Sequence, residues 1–383
     1  MDLQQRNGTT PLVVCASHAP RPEDAVAELV ATIGKVELAG ALLFCSHSYP
    51  REDLARELAT RLPGVSLVGC TSAGELTDRG YDSDSLLLVG FPAEGFAMSA
   101  LRFDDLDNFN PQEAQGAIRQ LVAGARLDHG AAQDLHQVAL FFVDGLSHRE
   151  ELLTMTAQHA LGDVQLIGGS SGDGMSFSET GVLHEGRFHT DAAVIVVLTS
   201  RRPLHVFCAN HYQPGPAKMV ITEADPETRT VYEINAAPAA EEYRRLTGAP
   251  GEALDAHFFA AHPPMVRTGG QYHVRSIQSA NPDGSLTFYC AIDTGVVLTI
   301  GEPVDRMARM RDLFAQVGDK VGAIDHIICF DCVLNRVDAE DRQIAREVSS
   351  LYVENRVIGF NTYGEQFLAA HMNQTFSGLA IGR

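Results

Sequence analysis

The chain has 383 residues and a formal charge of −20, from 49 acidic and 29 basic residues. This length accommodates two domains, each large enough to bury a core. Because the chain has no block of Lys and Arg, the charge excludes a nucleic-acid partner, whose phosphates need clustered positive charge.

No apolar run approaches the roughly 18 residues that a membrane-spanning helix needs. The first residues, Met-Asp-Leu-Gln-Gln-Arg, lack the features of a signal peptide. We therefore expect a cytoplasmic protein that does not contact the membrane. The seven cysteines are an odd, scattered set, which does not indicate a disulfide framework.

In chain order, the first predicted elements are a strand at residues 12–15 and a helix at residues 22–33. One pattern then occurs three times: an apolar strand, a helix, a second strand ending in glycine, and a run of small polar residues. The copies span residues 41–75, 139–174 and 327–365. The pattern predicts one supersecondary unit used three times, and such units leave their loops at one end of a sheet.

Each copy contains a predicted helix and is followed by one more apolar strand. The helices are predicted at 51–61, 149–161 and 339–352, and the trailing strands at 85–91, 192–198 and 377–381. The apolar stripes expected to face the sheets are Leu54, Leu58 and Leu62, then Leu152, Met155 and Leu161, then Ile344, Val348 and Leu351. Crossovers of this length favour parallel pairing, whereas the trailing strands could return antiparallel.

The predicted fold class is therefore α/β, with repeated strand–helix–strand units forming mixed sheets and helices packed on them, in two domains. The pattern changes after Ser200-Arg201-Arg202-Pro203, which predicts domains of residues 1–203 and 204–383. The second domain begins with short strands, a helix at 237–246 and a hairpin that turns at Asp283-Gly284.

Several of these segments resemble a known family. Two are similar to the N-terminal FIST domain, namely Gly69-Cys70-Thr71-Ser72-Ala73-Gly74-Glu75 and Gly168-Gly169-Ser170-Ser171-Gly172-Asp173. Three are similar to the C-terminal FIST domain, namely residues 231–239 with Tyr243 and Gly248, residues 359–365, and Asn373-Gln374-Thr375. The matches cover nearly the whole chain in the order of the family.

The resemblance implies a sensory module that binds a small ligand and takes part in bacterial signal transduction. The tail from Tyr363 to Phe376, with Phe330-Asp331-Cys332, resembles the branch that binds haem b and senses nitric oxide. That branch acts on a histidine kinase or a cyclic-di-GMP enzyme. The implied partners are therefore a small-molecule or gas ligand and one of these two enzymes, with output through the partner.

The glycine-ended loops are the candidate ligand site. Glycine lets the backbone approach a ligand closely, and neighbouring polar side chains can hydrogen bond to it. The candidate ligand-binding residues are Cys70, Thr71, Ser72, Glu75, Ser170, Ser171, Asn361, Thr362 and Glu365. Alternatively, the loops are only tight strand-to-loop transitions, and the two glutamates cap backbone turns.

A haem would need an axial ligand, normally histidine, in an apolar pocket. Residues 182–189 predict a hairpin that turns at Glu185-Gly186, so His184 and His189 share one face and Arg187 could meet a propionate. His371 is the third candidate. The alternative for the hairpin is a solvent-facing polar surface. Apart from haem iron we expect no metal, because Cys329-Phe330-Asp331-Cys332 lacks a second ligand pair.

Two other function classes remain open. A hydrolase-like enzyme would use Cys70 or Ser171 as its nucleophile, although the G-x-S-x-G pattern of a nucleophile elbow is not present. A ligand-free scaffold would use its acidic surface only to contact partners. We expect a sensor rather than an enzyme and assign no catalytic residue.

Overall fold

The computed structural model describes residues 10–127, 135–249, 251–268 and 270–383. It is a mixed α/β protein, which confirms the predicted fold class. The helices are α1 (Pro22–Ile33), α2 (Arg51–Arg61), α3 (Pro111–Leu127), α4 (Glu150–Leu161), α5 (Ala239–Thr247), α6 (Ala256–Ala261), α7 (Arg306–Val321), α8 (Val333–Asp341) and α9 (Ala345–Glu354). A short 3₁₀ helix lies at Leu106–Asn108.

The strands fall into three repeated units and one insertion. Unit 1 contains β1 (Val13–Ser17), β2 (Leu38–Ser46), β3 (Leu67–Ser72), β4 (Glu75–Thr77), β5 (Gly80–Asp82) and β6 (Leu86–Pro92). Unit 2 contains β7 (Phe96–Asp104), β8 (His136–Val143), β9 (Gln165–Ser170), β10 (Val182–His184), β11 (Arg187–His189) and β12 (Ala192–Ser200).

Unit 3 is interrupted after its first strand, β13 (Leu204–Asn210). The interrupting residues, 212–303, are called the insert. Its strands are β14 (Tyr212–Asp225), β15 (Thr230–Ile234), β16 (Ala237–Pro238), β17 (Pro264–Thr268), β18 (Gln271–Val274), β19 (Ile277–Ala280), β20 (Leu286–Phe288) and β21 (Val297–Pro303). Unit 3 then continues with β22 (Ile324–Cys332), β23 (Val357–Thr362), β24 (Glu365–Phe367), β25 (Ala370–Met372) and β26 (Thr375–Gly382).

The predicted strand–helix–strand unit is confirmed in all three copies. β2 pairs with β3, β8 with β9, and β22 with β23, each pair parallel. The glycines occupy one register position, since Gly69, Gly168 and Gly359 stand opposite Leu43, Phe141 and Cys329. The trailing strands β6, β12 and β26 return antiparallel, as the predicted mixed sheets require.

The three units exchange their hairpins in a cycle. Hairpin β4–β5 of unit 1 pairs with β23 of unit 3, β24–β25 of unit 3 with β9 of unit 2, and β10–β11 of unit 2 with β3 of unit 1. Each six-stranded sheet therefore contains strands from two units. The three sheets and their helices are called the body.

One apolar cluster joins the three sheets. Strands β2, β8 and β22 contribute Phe44, Phe142 and Phe330, and β23 adds Phe360. The Phe44 and Phe360 rings lie 4.6 Å apart, and those of Phe142 and Phe330 lie 6.1 Å apart. The insert has a separate core between its sheet and helices α5 and α6. Among the residues that the structure describes, no helix is both long and apolar enough to cross a membrane.

The structure corrects two predicted helix features. The helix expected at 339–352 is two helices, α8 and α9, because Gln343 between them has a φ of 59° and breaks the run. The stripe predicted for α4 is wrong at two of its three positions, since Leu152 and Met155 are 42% and 59% exposed, whereas Leu161 is buried as predicted. Leu153 and Ala157 face the core instead, because consecutive leucines offer the sheet two adjacent stripes.

Candidate functional site

The structure brings the nine candidate loop residues together and buries all of them. The loops bind one another: the Ala73 amide donates to the Asn361 carbonyl at 2.9 Å, and the Gly172 amide donates to the Thr71 carbonyl at 3.1 Å. The Tyr363 amide closes the cycle by donating to the Ser170 carbonyl at 3.3 Å. The backbone groups that could receive a ligand are thus used to join the three units.

Glu75 holds the loop of unit 1 to the start of its trailing strand. Its carboxylate accepts hydrogen bonds from the hydroxyl of Ser72 and from the amide and hydroxyl of Ser85, at 3.2 and 2.9 Å for the latter two. Burial raises the pKa of Glu75 to about 7, although these hydrogen bonds lower it. The side chain therefore ties two parts of the body together.

Unit 3 repeats this arrangement with an equivalent glutamate, whereas unit 2 uses an aspartate from a different position. Glu365 accepts from the Thr362 hydroxyl and from the amide and hydroxyl of Thr375, and burial raises its pKa to about 8. In unit 2 the carboxylate is Asp144, which accepts from the Thr180 hydroxyl and from the Asp191 amide. A buried carboxylate is thus a common structural part of the three units.

We expect folding stability to fall as pH rises from about 5 to about 8.5. A carboxyl group with a raised folded-state pKa binds its proton more tightly when folded, since the unfolded value is roughly 4.3. The stabilisation is full below that value and is lost as pH rises through about 7 for Glu75 and about 8 for Glu365. Urea unfolding across this range measures it. The double variant Glu75→Gln/Glu365→Gln should show a flatter pH profile, and an identical profile would refute the assignment.

The two proposed nucleophiles lie in unsuitable surroundings. Cys70 is completely buried, and burial, with smaller contributions from Cys45 and Glu75, raises its thiol pKa well above the ordinary value. Ser171 is also buried, and its hydroxyl oxygen accepts a hydrogen bond from the Gly145 amide at 3.1 Å. Within the described ranges neither side chain has a hydrogen bond to a histidine that could serve as base.

The predicted hairpin at 182–189 forms with the predicted register. Val182 pairs with His189 and His184 with Arg187, and the turn residue Glu185 adopts a φ of 50°. Both rings face Arg102 on β7, whose Nη1 lies 3.4 Å from His184 Nδ1 and 3.1 Å from His189 Nε2. Because a guanidinium only donates, His184 Nδ1 acts as an acceptor, whereas His189 Nε2 also lies 3.3 Å from the His184 carbonyl and its role follows the tautomer of the ring.

The candidate histidines do not fit an axial haem ligand. The apolar face of the hairpin, with Leu183 and Phe188, packs beneath α2, whereas His184 and His189 lie on the opposite face against Arg102. His371 is 3% exposed and closely enclosed, since a Cβ added to Gly364 would lie 2.3 Å from its ring. His184 borders a cavity of about 380 Å³ together with Leu58 and Leu62, but its Nδ1 lies against the Arg102 guanidinium.

A cavity of about 440 Å³ lies where the insert leaves the body and rejoins it. We call it the hinge cavity. The chain passes it twice, at His211 before β14 and at residues 303–306 after β21, and the Val304 amide donates to the His211 carbonyl at 3.0 Å. The lining residues are His211, Pro303, Val304, Asp305, Arg306, Met307, Asp338, Arg342 and Ile344.

His211 is the most unusual residue of the hinge cavity. Its side chain is almost completely buried, and neither ring nitrogen has a hydrogen-bond partner in the described part of the protein. Burial, reinforced by Arg306 and Arg309, holds its pKa well below the ordinary value, so the ring is neutral. Leaving a buried polar group unpaired costs roughly 1–3 kcal/mol.

Arg306 presents a second unpaired buried nitrogen. Its Nη1 donates to the Asn335 carbonyl at 2.7 Å and its Nη2 to the Tyr81 hydroxyl at 2.9 Å, while Nε has no partner among the described residues. Tyr81 in turn donates to Asp331 at 2.8 Å. Since Tyr81 belongs to the exchanged hairpin of unit 1, the hinge cavity is connected to two units of the body.

Sequence reasoning missed the hinge cavity. Neither His211 nor Arg306 lies in a repeated motif, and 15 histidines give no reason to select one of them. Two features of the sequence could have located it: the pattern changes near residue 204, and a long amphipathic helix begins near residue 306. The chain passes from the body to the insert and back at these two places, and the cavity lies between them.

Other cavities lie elsewhere in the described structure, and two of them are compared with the hinge cavity. One of about 510 Å³, between α2 and hairpin β10–β11, is lined by Arg51, Arg56 and Arg187 among others. Arg51 is already bonded to the Thr180 carbonyl at 3.0 Å and to Glu179. A third cavity, of about 360 Å³, adjoins the hinge cavity and shares Pro303 and Arg342 with it.

Comparison with known proteins gives two family matches that together cover most of the chain. The FIST N domain matches residues 12–237 and the FIST C domain matches residues 239–368. No curated protein matches. Among solved structures, a cyanuric acid hydrolase from A. caulinodans is 13% identical with a TM-score of 0.37, over 97% of this chain and 99% of that chain. That similarity is too low to bear on function.

Proposed function

The chain belongs to the FIST family, whose domains are small-ligand sensory domains, and we propose that this protein senses a small ligand bound in the hinge cavity. The observation that carries the proposal is the buried, unpaired His211 beside a cavity of ligand size. FIST domains are sensory rather than catalytic, which agrees with the buried surroundings of Cys70 and Ser171.

The position of the cavity supports a sensory role. A ligand there contacts both strands that connect the insert to the body, so binding energy can shift the equilibrium between two placements of the insert. The insert contacts the body at many charged and polar points, among them the Arg229–Glu150 ion pair, the His257–Asp341 pair and the bridge between Val274 and Asn373. These contacts would transmit a shift in the placement of the insert to the surface of the body.

The output is proposed to pass to a separate histidine kinase or cyclic-di-GMP enzyme. The support is the family membership together with the position of the cavity between the insert and the body. Kinase autophosphorylation, or turnover of cyclic-di-GMP, is expected to change when this protein is added, and to change again when the ligand is added.

The family resemblance implies a more specific sensory function, that of a haem-dependent nitric-oxide sensor. The enclosed His371 and the arginine-bound His184 and His189 do not support it. Purified protein, grown with haem available, is expected to show no Soret band. A Soret band that shifts with nitric oxide would replace the hinge-cavity proposal.

A ligand screen with a blocked cavity tests the proposed function. Thermal-shift screening of a small-molecule library is expected to yield compounds that raise the melting temperature of the wild type but not of Ile344→Phe, which fills the cavity. Val353→Phe, on the exposed face of α9, is the matched control. Compounds that stabilise Ile344→Phe as strongly as the wild type would place the ligand elsewhere.

A further inference from the structure

We propose that the outward face of α4 is the surface through which two copies of this chain form a two-fold symmetric dimer. This α4 face consists of Leu152 and Met155 on α4, the turn Leu368-Ala369 between β24 and β25, and the recess that these elements border. Such a dimer would form whether or not the hinge cavity binds a ligand. The support comes from a comparison of the three units, from the lining of the recess and from the charge of the chain.

The helices α2, α4 and α9 are equivalent, because each precedes the glycine-ended strand of its unit. Leu54, Leu153 and Val348 are the buried residues at one matching position, and the residue four places later is also buried in each helix. The residues one before and two after this position are exposed in all three helices. These exposed residues are Asp53 and Arg56 in unit 1, Leu152 and Met155 in unit 2, and Glu347 and Ser350 in unit 3. Unit 2 therefore has two apolar side chains where the other units have charged or polar ones.

The hairpin turn beside each helix differs in the same way. Asp78-Arg79 forms the turn of the hairpin on unit 3, and Glu185-Gly186 forms the turn of the hairpin on unit 1. The turn on unit 2 is Leu368-Ala369, which is apolar. Ala369 and Met155 line the same recess, so helix and turn form one apolar surface in unit 2.

The recess lies between α3, α4 and the Leu368-Ala369 turn and has a volume of about 580 Å³. The described residues that line it include no Asp, Glu, Lys or Arg; they are Gln115, Met155, Thr156, Gln158, His159, Gly162 and Ala369. The equivalent place in unit 1 is lined by three arginines. In unit 3 it is filled, since the Tyr81 amide donates to Ser349 Oγ at 3.1 Å and a Cβ added to Gly80 would lie 2.3 Å from Ser349 Cβ.

The shape of the α4 face suits a second copy of the same chain. In a two-fold contact each copy supplies the same patch, so the patch must be complementary to itself. The exposed side chains of Leu152 and Met155 lie beside a recess on one face, which meets this requirement. Because Met155 also lines the recess, Met155 of one copy would lie near Met155 of the other.

The charge of the chain points to the same occupant. Two copies that each carry −20 repel one another, so they can meet only where few carboxylates are exposed. The carboxylates in the first turn of α4 are engaged elsewhere, since Glu150 and Glu151 both accept hydrogen bonds from Arg229 of the insert. A partner that recognised this acidic chain by charge would use its carboxylates instead. Interface centres are depleted of charged residues and enriched in Met, as the α4 face is.

Sedimentation velocity of the full-length protein, from roughly 1 to 200 µM, tests the proposal. We expect the mass to rise from that of the monomer to twice that value, with a dissociation constant on the order of 10 µM because the exposed apolar area is small. Added salt should strengthen the association, since it screens the repulsion between two acidic chains.

Substitutions at the centre of the α4 face locate the contact. Met155→Asp should weaken association at least about tenfold, because it places two carboxylates opposite each other. Ser350→Asp, at the equivalent exposed position of α9, is the matched control and should dimerise as the wild type does. Both variants should keep the melting temperature of the wild type, since both positions are exposed. A mixture of Met155→Asp and Met155→Lys should form a heterodimer, although neither variant associates alone.

A wild type that stays monomeric over this concentration range would overturn the proposal, and so would a dimer that both Leu152→Asp and Met155→Asp leave intact. If Met155→Asp dissociates the dimer but the mixture with Met155→Lys does not restore it, the contact is not two-fold symmetric. If the wild type is monomeric and Met155→Asp, unlike Ser350→Asp, abolishes an effect on a separate kinase, the α4 face binds that enzyme instead of a second copy.

Discussion

Gly168→Ala is expected to destabilise the protein by about 3 kcal/mol or more, or to prevent folding. An added Cβ would lie 1.8 Å from the carbonyl oxygen of Phe141 on the adjacent parallel strand. Neither backbone can withdraw, because both strands are paired on their other sides. The equivalent contacts are 1.7 Å at Gly69 and 2.0 Å at Gly359, so the three positions need glycine for the same reason.

Urea unfolding followed by far-UV circular dichroism measures this effect. The control is Gly124→Ala in α3, where an added Cβ meets nothing within 4 Å and the higher helix propensity of alanine should leave stability equal or slightly raised. If Gly168→Ala were as stable as Gly124→Ala, the close strand approach would not exist in the protein.

Arg229→Met is expected to cost about 3–5 kcal/mol, because it leaves a buried carboxylate without its cation. Arg229 on the insert donates to Glu150 of α4 at 2.7 Å, and the two side chains are only 4% and 3% exposed. The same guanidinium reaches Glu151 at 2.8 Å. The loss should loosen the contact between the insert and the body before the body itself unfolds.

Limited proteolysis measures the loosening of the insert, and chemical unfolding measures the loss of stability. Arg56→Met is the matched control, since Arg56 and Asp53 form an exposed pair that contributes little. The double variant Arg229→Met/Glu150→Leu should recover part of the stability, because it removes both charges. An Arg229→Met protein as stable as Arg56→Met would contradict the buried pair.

The repeat could be predicted from sequence because its elements are local. Strand, helix and glycine-ended strand are encoded within about 30 contiguous residues, a typical length for such a unit, and the parallel pairing follows from the crossover length. The hairpin at 182–189 was also predictable, since its register depends only on the turn at Glu185-Gly186. Its partner strand was not, because an edge strand can pair with any free edge.

The candidate site was less predictable for a related reason. The small polar residues after the glycines suggest a ligand loop, but the same residues satisfy backbone groups where three units meet, as Thr71 and Ser170 do. Whether these residues bind a ligand or join the three units depends on the hairpin exchange, which involves segments far apart in the sequence. His211 and Arg306 are 95 positions apart and converge only because the insert begins and ends at one place.

Backbone hydrogen exchange with and without a bound ligand, followed by mass spectrometry, shows whether a ligand in the hinge cavity acts on the insert. We expect slower exchange in residues 204–212 and 297–306, which border the hinge cavity, together with altered exchange where the insert meets α4 near Glu150. Protection confined to α2 and hairpin β10–β11, or to the glycine-ended loops, would contradict it and move the ligand to another part of the body.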